Sequence, residues 1–168
     1  PYWNRYMETM PREKIDAIHL KRLRSLLQYA NDNSPFYRRK FQETGIKPED
    51  IRTLDDFKTR VPITDKSDFI QLQEENPHYG QTGAMPEDYI AHHCETSGTT
   101  GIPLRIPYTM YDTERYGESW VYGWWAAGIR PSDSFYFAFH WGLFAGFWSA
   151  YWGARRLGAK VYSGGGQS

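Results

Sequence analysis

Much of what this sequence lacks narrows what it can be. Its 168 residues include one cysteine, Cys94, so no disulfide framework can hold the fold. Neither sign of charge is in excess, since 20 Lys and Arg face 20 Asp and Glu. With no basic stripe, the electrostatic footprint of a nucleic-acid binder is missing, and nucleic acid is not expected as a partner. No long uninterrupted apolar run is present. The least charged stretch, 134–154, is broken by His140 and several glycines and is rich in Trp and Tyr, which does not suit a membrane span. No cleavable signal peptide opens the chain. Together these absences lead us to expect a soluble, cytoplasmic protein with no membrane partner. Two standard nucleotide signatures also fail. The lysine of a Walker loop is absent, and Gly142-Leu143-Phe144-Ala145-Gly146 does not complete a G-x-G-x-x-G fingerprint.

What is present is aromatic. The chain holds 7 Trp, 13 Tyr and 9 Phe within a hydrophobic content of 40%, enough to build a core. The length predicts one domain, or one domain with an appendage. The two halves differ in character. Residues 1–84 carry 14 of the 20 basic residues, whereas residues 111–152 alone carry 16 aromatics. The boundary falls near 80–86, dividing a helical N-terminal unit, 1–84, from a partial α/β region, 85–168.

In the first half, Pro11 opens a run in which Ile15, Ile18, Leu23, Leu26, Leu27 and Ala30 recur at helical spacing, and Asn31-Asp32-Asn33-Ser34-Pro35 stops it. Phe36, Tyr37 and Phe41 predict a short second helix ended by Gly45. Thr53 with Asp56, and Thr64 with Asp68, read as two further helix starts. In the second half, 89–94 and 104–108 read as strands around a Ser/Thr/Gly loop. Thr109 is placed to cap a helix ending at Gly128. An apolar strand follows over 134–140, then a helix closed by Gly158, then a short strand over 160–162. Strand, crossover helix and strand imply parallel pairing, with ligands expected beyond the carboxyl ends of the strands.

The loop Thr96, Ser97, Gly98, Thr99, Thr100 and Gly101 has the make-up of an oxyanion site. Glycines let backbone N–H groups converge on a phosphate, and hydroxyls add neutral donors. An ordinary polar turn between two strands is the competing reading. A second candidate is the aromatic turn around Trp141, Gly142, Phe144, Ala145, Gly146 and Phe147, where small residues leave room for a ring and aromatics supply stacking surface; core packing is the competing reading for Trp141, Phe144 and Phe147. Phe135, Phe137, Phe139, Trp148 and Trp152 read as core. Ser163, Gly164, Gly165 and Gly166 close a strand at the same face, with a flexible segment as the alternative. His92, His93, Cys94 and Glu95 are not expected to form a metal site, because adjacent strand residues point to opposite faces.

The segment Glu95-Thr96-Ser97-Gly98-Thr99-Thr100-Gly101-Ile102-Pro103-Leu104 resembles the [ST]-S-G-T-T-G-x-P loop of adenylate-forming enzymes. Five further segments resemble one branch of them, the phenylacetate-CoA ligases. These are Ser34-Pro35-Phe36-Tyr37-Arg38-Arg39-Lys40-Phe41, Gly45-Ile46-Lys47-Pro48-Glu49-Asp50-Ile51, Val61-Pro62-Ile63-Thr64-Asp65-Lys66, Gly142-Leu143-Phe144-Ala145-Gly146 and Ser163-Gly164-Gly165. The resemblance implies an α/β fold: a small helical unit followed by the start of the mainly parallel, doubly wound sheet of an adenylate-forming domain. It implies activation of a carboxylic acid by ATP and Mg²⁺ to an acyl-adenylate, then thioester formation with coenzyme A. The loop 96–101 would hold the β and γ phosphates, the turn 141–147 would line the acyl pocket, and 163–166 would lie near the adenylate. The aromatic lining favours an aryl or arylacetic acid as substrate, although the bulk of Trp141 and Phe147 leaves the size of the acid open. Many members of the family carry Lys where this chain has Ile102, and Arg105 or Mg²⁺ is a candidate to compensate.

Members of that family are much longer, and their downstream Mg²⁺ and ribose motifs and C-terminal domain have no counterpart before Ser168. The chain also begins at Pro1 without Met. We therefore expect a fragment, inactive alone and partnered by the missing C-terminal part of the same enzyme. No catalytic residue is expected within it. The aromatic residues would serve an interface as well as a core, so a homodimer stays open. Two alternatives stand beside this reading. One is a stand-alone nucleotide-binding or interaction module without catalysis. The other is an adenylate-forming relative using a different acyl acceptor.

Overall fold

The computed structural model describes the chain except for residues 81–83, 97, 99, 100 and 166–168. It is α/β and divides into two compact units, Thr9–Glu87 and Pro1–Glu8 with Asp88–Ser168.

The unit Thr9–Glu87 is helical. Its long helix runs over Arg12–Asn33 (α2, numbering the short Arg5–Glu8 turn as α1) and starts behind Pro11. It stops because Pro35 forces the residue before it out of the helical region, and Ser34 is extended at φ −109°, ψ 112°. The same Ser34 then caps α3 (Pro35–Thr44), with Pro35 at the first helical position. Gly45 ends α3 in the left-handed conformation at φ 67°. Leu27, Phe41 and Ile51 form the core here, with Leu23, Tyr37, Ile46, Phe57 and Val61 packed around them. Each fully buried side chain of this kind stabilises the fold by about 1.5–3 kcal/mol. Thr53 and Asp56 exchange hydrogen bonds of 2.8 and 3.0 Å at the start of α4 (Leu54–Arg60). The next helix, α5 (Lys66–Glu75), is capped by Asp65 and not by Thr64. The Asp65 N–H donates to the Asp68 carboxylate at 3.3 Å, which sets the box one residue later than the Thr64 spacing suggests. Lys40 on α3 reaches Asp68 on α5 at 2.7 Å.

The other unit holds all the strands described. Strand β1 (Ile90–Glu95) pairs antiparallel with β2 (Arg105–Thr109), with Cys94 opposite Ile106. The connection over 96–104 is a hairpin loop, too short for the crossover that parallel pairing needs. Thr109 and Asp112 form the predicted cap of α6 (Met110–Ala126), with bonds of 2.8 and 3.1 Å. Strand β3 (Ser134–Phe137) is shorter than its apolar run. It is followed by α7 (Ala145–Leu157) and β4 (Lys160–Ser163). Strands β3 and β4 pair in parallel, Phe135 opposite Val161, across α7 as the crossover. Here lies the parallel strand-helix-strand element.

Glycines let α6 and α7 approach closely. A Cβ on Gly117 would lie 2.7 Å from the Trp152 carbonyl oxygen, and one on Gly153 would lie 2.6 Å from Trp120 Cβ. The N-terminal residues dock on the same pair of helices. The Trp3 indole donates to Glu118 at 2.7 Å and its ring sits 5.4 Å from Trp125, while Glu118 also accepts from Arg156 at 2.6 Å. No described helix is long and apolar enough to cross a membrane.

Candidate functional site

The hairpin loop is closed at its base by two hydrogen bonds. Thr96 donates its N–H to the Leu104 carbonyl, and its hydroxyl accepts from the Leu104 N–H, each at 2.9 Å. The Thr96 side chain is therefore engaged in shaping the loop. Gly98 at φ 64° and Gly101 at φ 109° occupy conformations that L side chains rarely adopt, and the Gly101 N–H turns back onto the Gly98 carbonyl at 2.7 Å. The hydroxyl residues Ser97, Thr99 and Thr100 lie outside the described residues.

Glu95, at the last position of β1, joins this loop to the aromatic turn. Its N–H donates to the Leu143 carbonyl at 2.6 Å, and Glu95 and Phe144 form an isolated parallel bridge. The third segment arrives from β4. The Trp141 indole N–H donates to the Ser163 hydroxyl, and the Gly164 N–H donates to the Phe137 carbonyl at 2.9 Å. A Cβ on Gly164 would run into the Tyr136 ring and one on Gly165 into the Phe139 carbonyl. Gly165 thus admits only glycine at this spacing, because it meets backbone, whereas at Gly164 the exposed Tyr136 ring would have to move. Gly166 lies outside the described residues. The fold brings three segments scattered along the chain to the carboxyl ends of β1, β3 and β4.

Around the turn the rings pack on one another. Phe139 and Phe147 stack at 3.9 Å between centroids, and Phe144 meets Phe147 edge-on at 4.9 Å. Trp141 contacts Phe137, Phe139, Trp148 and Tyr151 at 5.0–5.5 Å. The Trp148 indole donates to the Gly142 carbonyl at 2.8 Å. Phe137 and Trp152 are buried, whereas Phe135, Phe139 and Trp148 are partly exposed.

The carboxylate of Glu95 is a site feature that the motif contained without marking. It lies 3.3 Å from His93 Nε2 and 3.9 Å from Arg105 Nε. Its only advance signal was an acidic residue at a strand end beside a glycine loop. Arg105, the candidate to stand in for a lysine at 102, is directed at this carboxylate, and Ile102 is about half exposed. His92 turns the other way, onto Trp148 at 4.5 Å and Trp152 at 5.3 Å. Burial and the neighbouring His93 hold it below the ordinary histidine range, so it is neutral at pH 7. Cys94 is fully buried and its thiol is pushed up to about 11 by that burial, which makes it a poor nucleophile. Among the described residues no group of three ligating side chains is arranged to hold a metal ion.

No family model matches the chain. It is 36% identical over 155 residues to the phenylacetate-coenzyme A ligase of Escherichia coli and 38% identical over 155 residues to that of Thermus thermophilus. Each alignment covers 92% of this chain and 34% of the relative. A crystal structure of 2-hydroxyisobutyryl-CoA ligase, in complex with 2-HIB-AMP and CoA in the thioesterification state, superposes with a TM-score of 0.92 at 37% identity. It covers 99% of this chain and 35% of that one. The same ligase in the postadenylation state with 2-HIB-AMP superposes at 0.90 with 35% identity. The chain thus resembles the phenylacetate-CoA ligases over nearly all of its own length and spans about a third of theirs.

Proposed function

We propose that this chain carries the ATP-phosphate and acyl-binding part of an AMP-forming acid–thiol ligase of the phenylacetate-CoA ligase kind, acting on a small carboxylic acid. The observation that carries the reading is the meeting, at Glu95, of a glycine and hydroxyl loop with an aromatic turn, on a backbone that superposes on a ligase bearing an acyl-AMP and CoA.

In the first step a carboxylate oxygen attacks the α-phosphorus of ATP, the bond to the bridging oxygen breaks, and pyrophosphate leaves with its electrons. In the second step the sulfur of coenzyme A attacks the acyl carbon, the thiol gives up its proton, and AMP departs. The loop 96–101 holds the β and γ phosphates, with Ser97, Thr99 and Thr100 as hydroxyl donors. Positioned donors of this type orient the triphosphate and offset charge growing on the leaving group. The turn 141–147 lines the acyl side and 163–165 borders the adenylate. Mg²⁺ bound to the ATP phosphates would supply charge neutralisation. Glu95 is already engaged by His93 and Arg105, so the segment offers Mg²⁺ little more than the substrate's own oxygens. ATP and coenzyme A as substrates suit a cytoplasmic setting.

The test is carboxylate-dependent ATP–pyrophosphate exchange by the natural full-length protein, with a Thr99→Ala/Thr100→Ala variant beside it. Exchange is expected, and the double substitution is expected to lower it by about 10²-fold, the scale for losing preorganised donors. Unchanged kinetics in the variant refutes the role of the loop. The 168-residue chain alone is expected to show no exchange.

A further inference from the structure

The aromatic turn has the composition of a slot for a flat ring, but its rings are already one another's partners. Phe147 lies face to face on Phe139, with centroids 3.9 Å apart and planes 21° from parallel. Sliding a third ring between them requires a separation of roughly 7 Å, two contact distances. Trp141 is fixed on several sides by Phe137, Phe139, Trp148 and Tyr151, and its N–H is held by Ser163. The small residues of the turn leave little more. A Cβ on Gly146 would lie 2.8 Å from Phe144 Cε1, so the Phe144 ring already covers that glycine. Only Gly142 has open space beside it, with nothing within 4 Å of the position a Cβ would take.

We infer that the acid is compact, a carboxylate bearing a short aliphatic group the size of isobutyrate or smaller, and that Phe147, buttressed by Phe139, sets the upper limit of acyl size. This rests on the ligase reading above and narrows its substrate class. Aromatic composition around a site says that the walls are apolar; it does not say that a ring fits between them. Here Phe147 packs on Phe139 and Phe144, and Phe144 covers Gly146, so these rings occupy one another's faces. An aryl acid enters between these rings only by parting the Phe139–Phe147 stack and disturbing their contacts with Phe137, Trp141 and Phe144.

The experiment compares acetate, isobutyrate, benzoate and phenylacetate as substrates of the full-length protein in pyrophosphate exchange, alongside Phe147→Ala and Phe139→Ala variants. Wild type is expected to favour isobutyrate or acetate over phenylacetate by at least about tenfold in kcat/KM, the scale on which a pocket rejects excess volume. Phe147→Ala is expected to raise the phenylacetate-to-isobutyrate ratio by at least about tenfold, and Phe139→Ala by less. The wild-type panel decides even where a variant fails to fold. Wild type using phenylacetate as well as isobutyrate overturns the size limit and leaves the ligase reading standing. An unchanged ratio in a folded Phe147→Ala variant overturns the role of Phe147. Absence of exchange with every acid overturns the ligase reading and the size limit with it.

Discussion

Replacing Gly117 by alanine probes the backbone-to-backbone contact between α6 and α7. The new Cβ would lie 2.7 Å from the Trp152 carbonyl oxygen, 2.9 Å from its carbon and 3.3 Å from the Gly153 nitrogen. All three are backbone atoms of α7, so no side chain can rotate out of the way. Relief requires the two helices to part by roughly 0.5–1 Å to reach ordinary contact. Overpacking of this kind costs about 1–3 kcal/mol. Alanine returns about 1 kcal/mol through its higher helix propensity. Gly123, on the same helix but exposed and with nothing within 4 Å, isolates that gain. Gly123→Ala is therefore expected to stabilise by about 1 kcal/mol. The difference between the two variants then equals the overpacking term, about 1–3 kcal/mol. In a chain of this size that separates their melting temperatures by roughly 2–12 °C. Urea unfolding followed by circular dichroism, with thermal melts on the same samples, measures the pair. Gly117→Ala proving as stable as Gly123→Ala would refute the close helix crossing.

Thr109→Ala removes the acceptor for the Asp112 N–H and the hydroxyl donor to the Asp112 carboxylate, bonds of 3.1 and 2.7 Å. A loss of about 1 kcal/mol is expected by urea titration, largely restored by Thr109→Ser. Cys94 predicts an alkaline effect. Its thiol moves from an ordinary value of 9.0 to about 11 on burial, so the unfolded chain releases the proton first. The stability this contributes is complete below pH 9 and is lost as pH rises toward 11. Tyr108, raised by burial from 10.0 to about 12 with Tyr116, Cys94 and Asp112 adding, acts with the same sign over a higher window. Cys94→Ala should therefore show a shallower fall in stability between pH 9 and 11, and equal slopes would count against the buried thiol.

Local signals were legible wherever one residue's chemistry decides the backbone. Pro11, the Ser34-Pro35 pair, Gly45, the Thr53–Asp56 box, Thr109 and Gly158 all mark the ends of elements where the structure has them. Thr64 misled because Asp65, its neighbour, offers a cap of the same kind one step on. The short α1 turn carries no strong signal of its own; its segment is anchored by Trp3, a contact with Glu118 across more than a hundred residues. The antiparallel pairing of β1 with β2 follows from the shortness of the 96–104 connection, whereas the register that sets Cys94 opposite Ile106 is not reported by apolar alternation.

The amino-acid order by itself determined the helices and their caps, the glycines at left-handed positions and the loop chemistry of 96–101. Each of these is settled within a few residues by sterics and local hydrogen bonding. Only the tertiary structure decided that Glu95, Leu143 and Ser163 meet at one end of the strands. It also decided that the rings of the turn face one another instead of an open slot. Whether an aromatic side chain lines a space or fills it depends on volumes contributed by distant segments, and packing at interior density leaves no such space unless the fold holds it open.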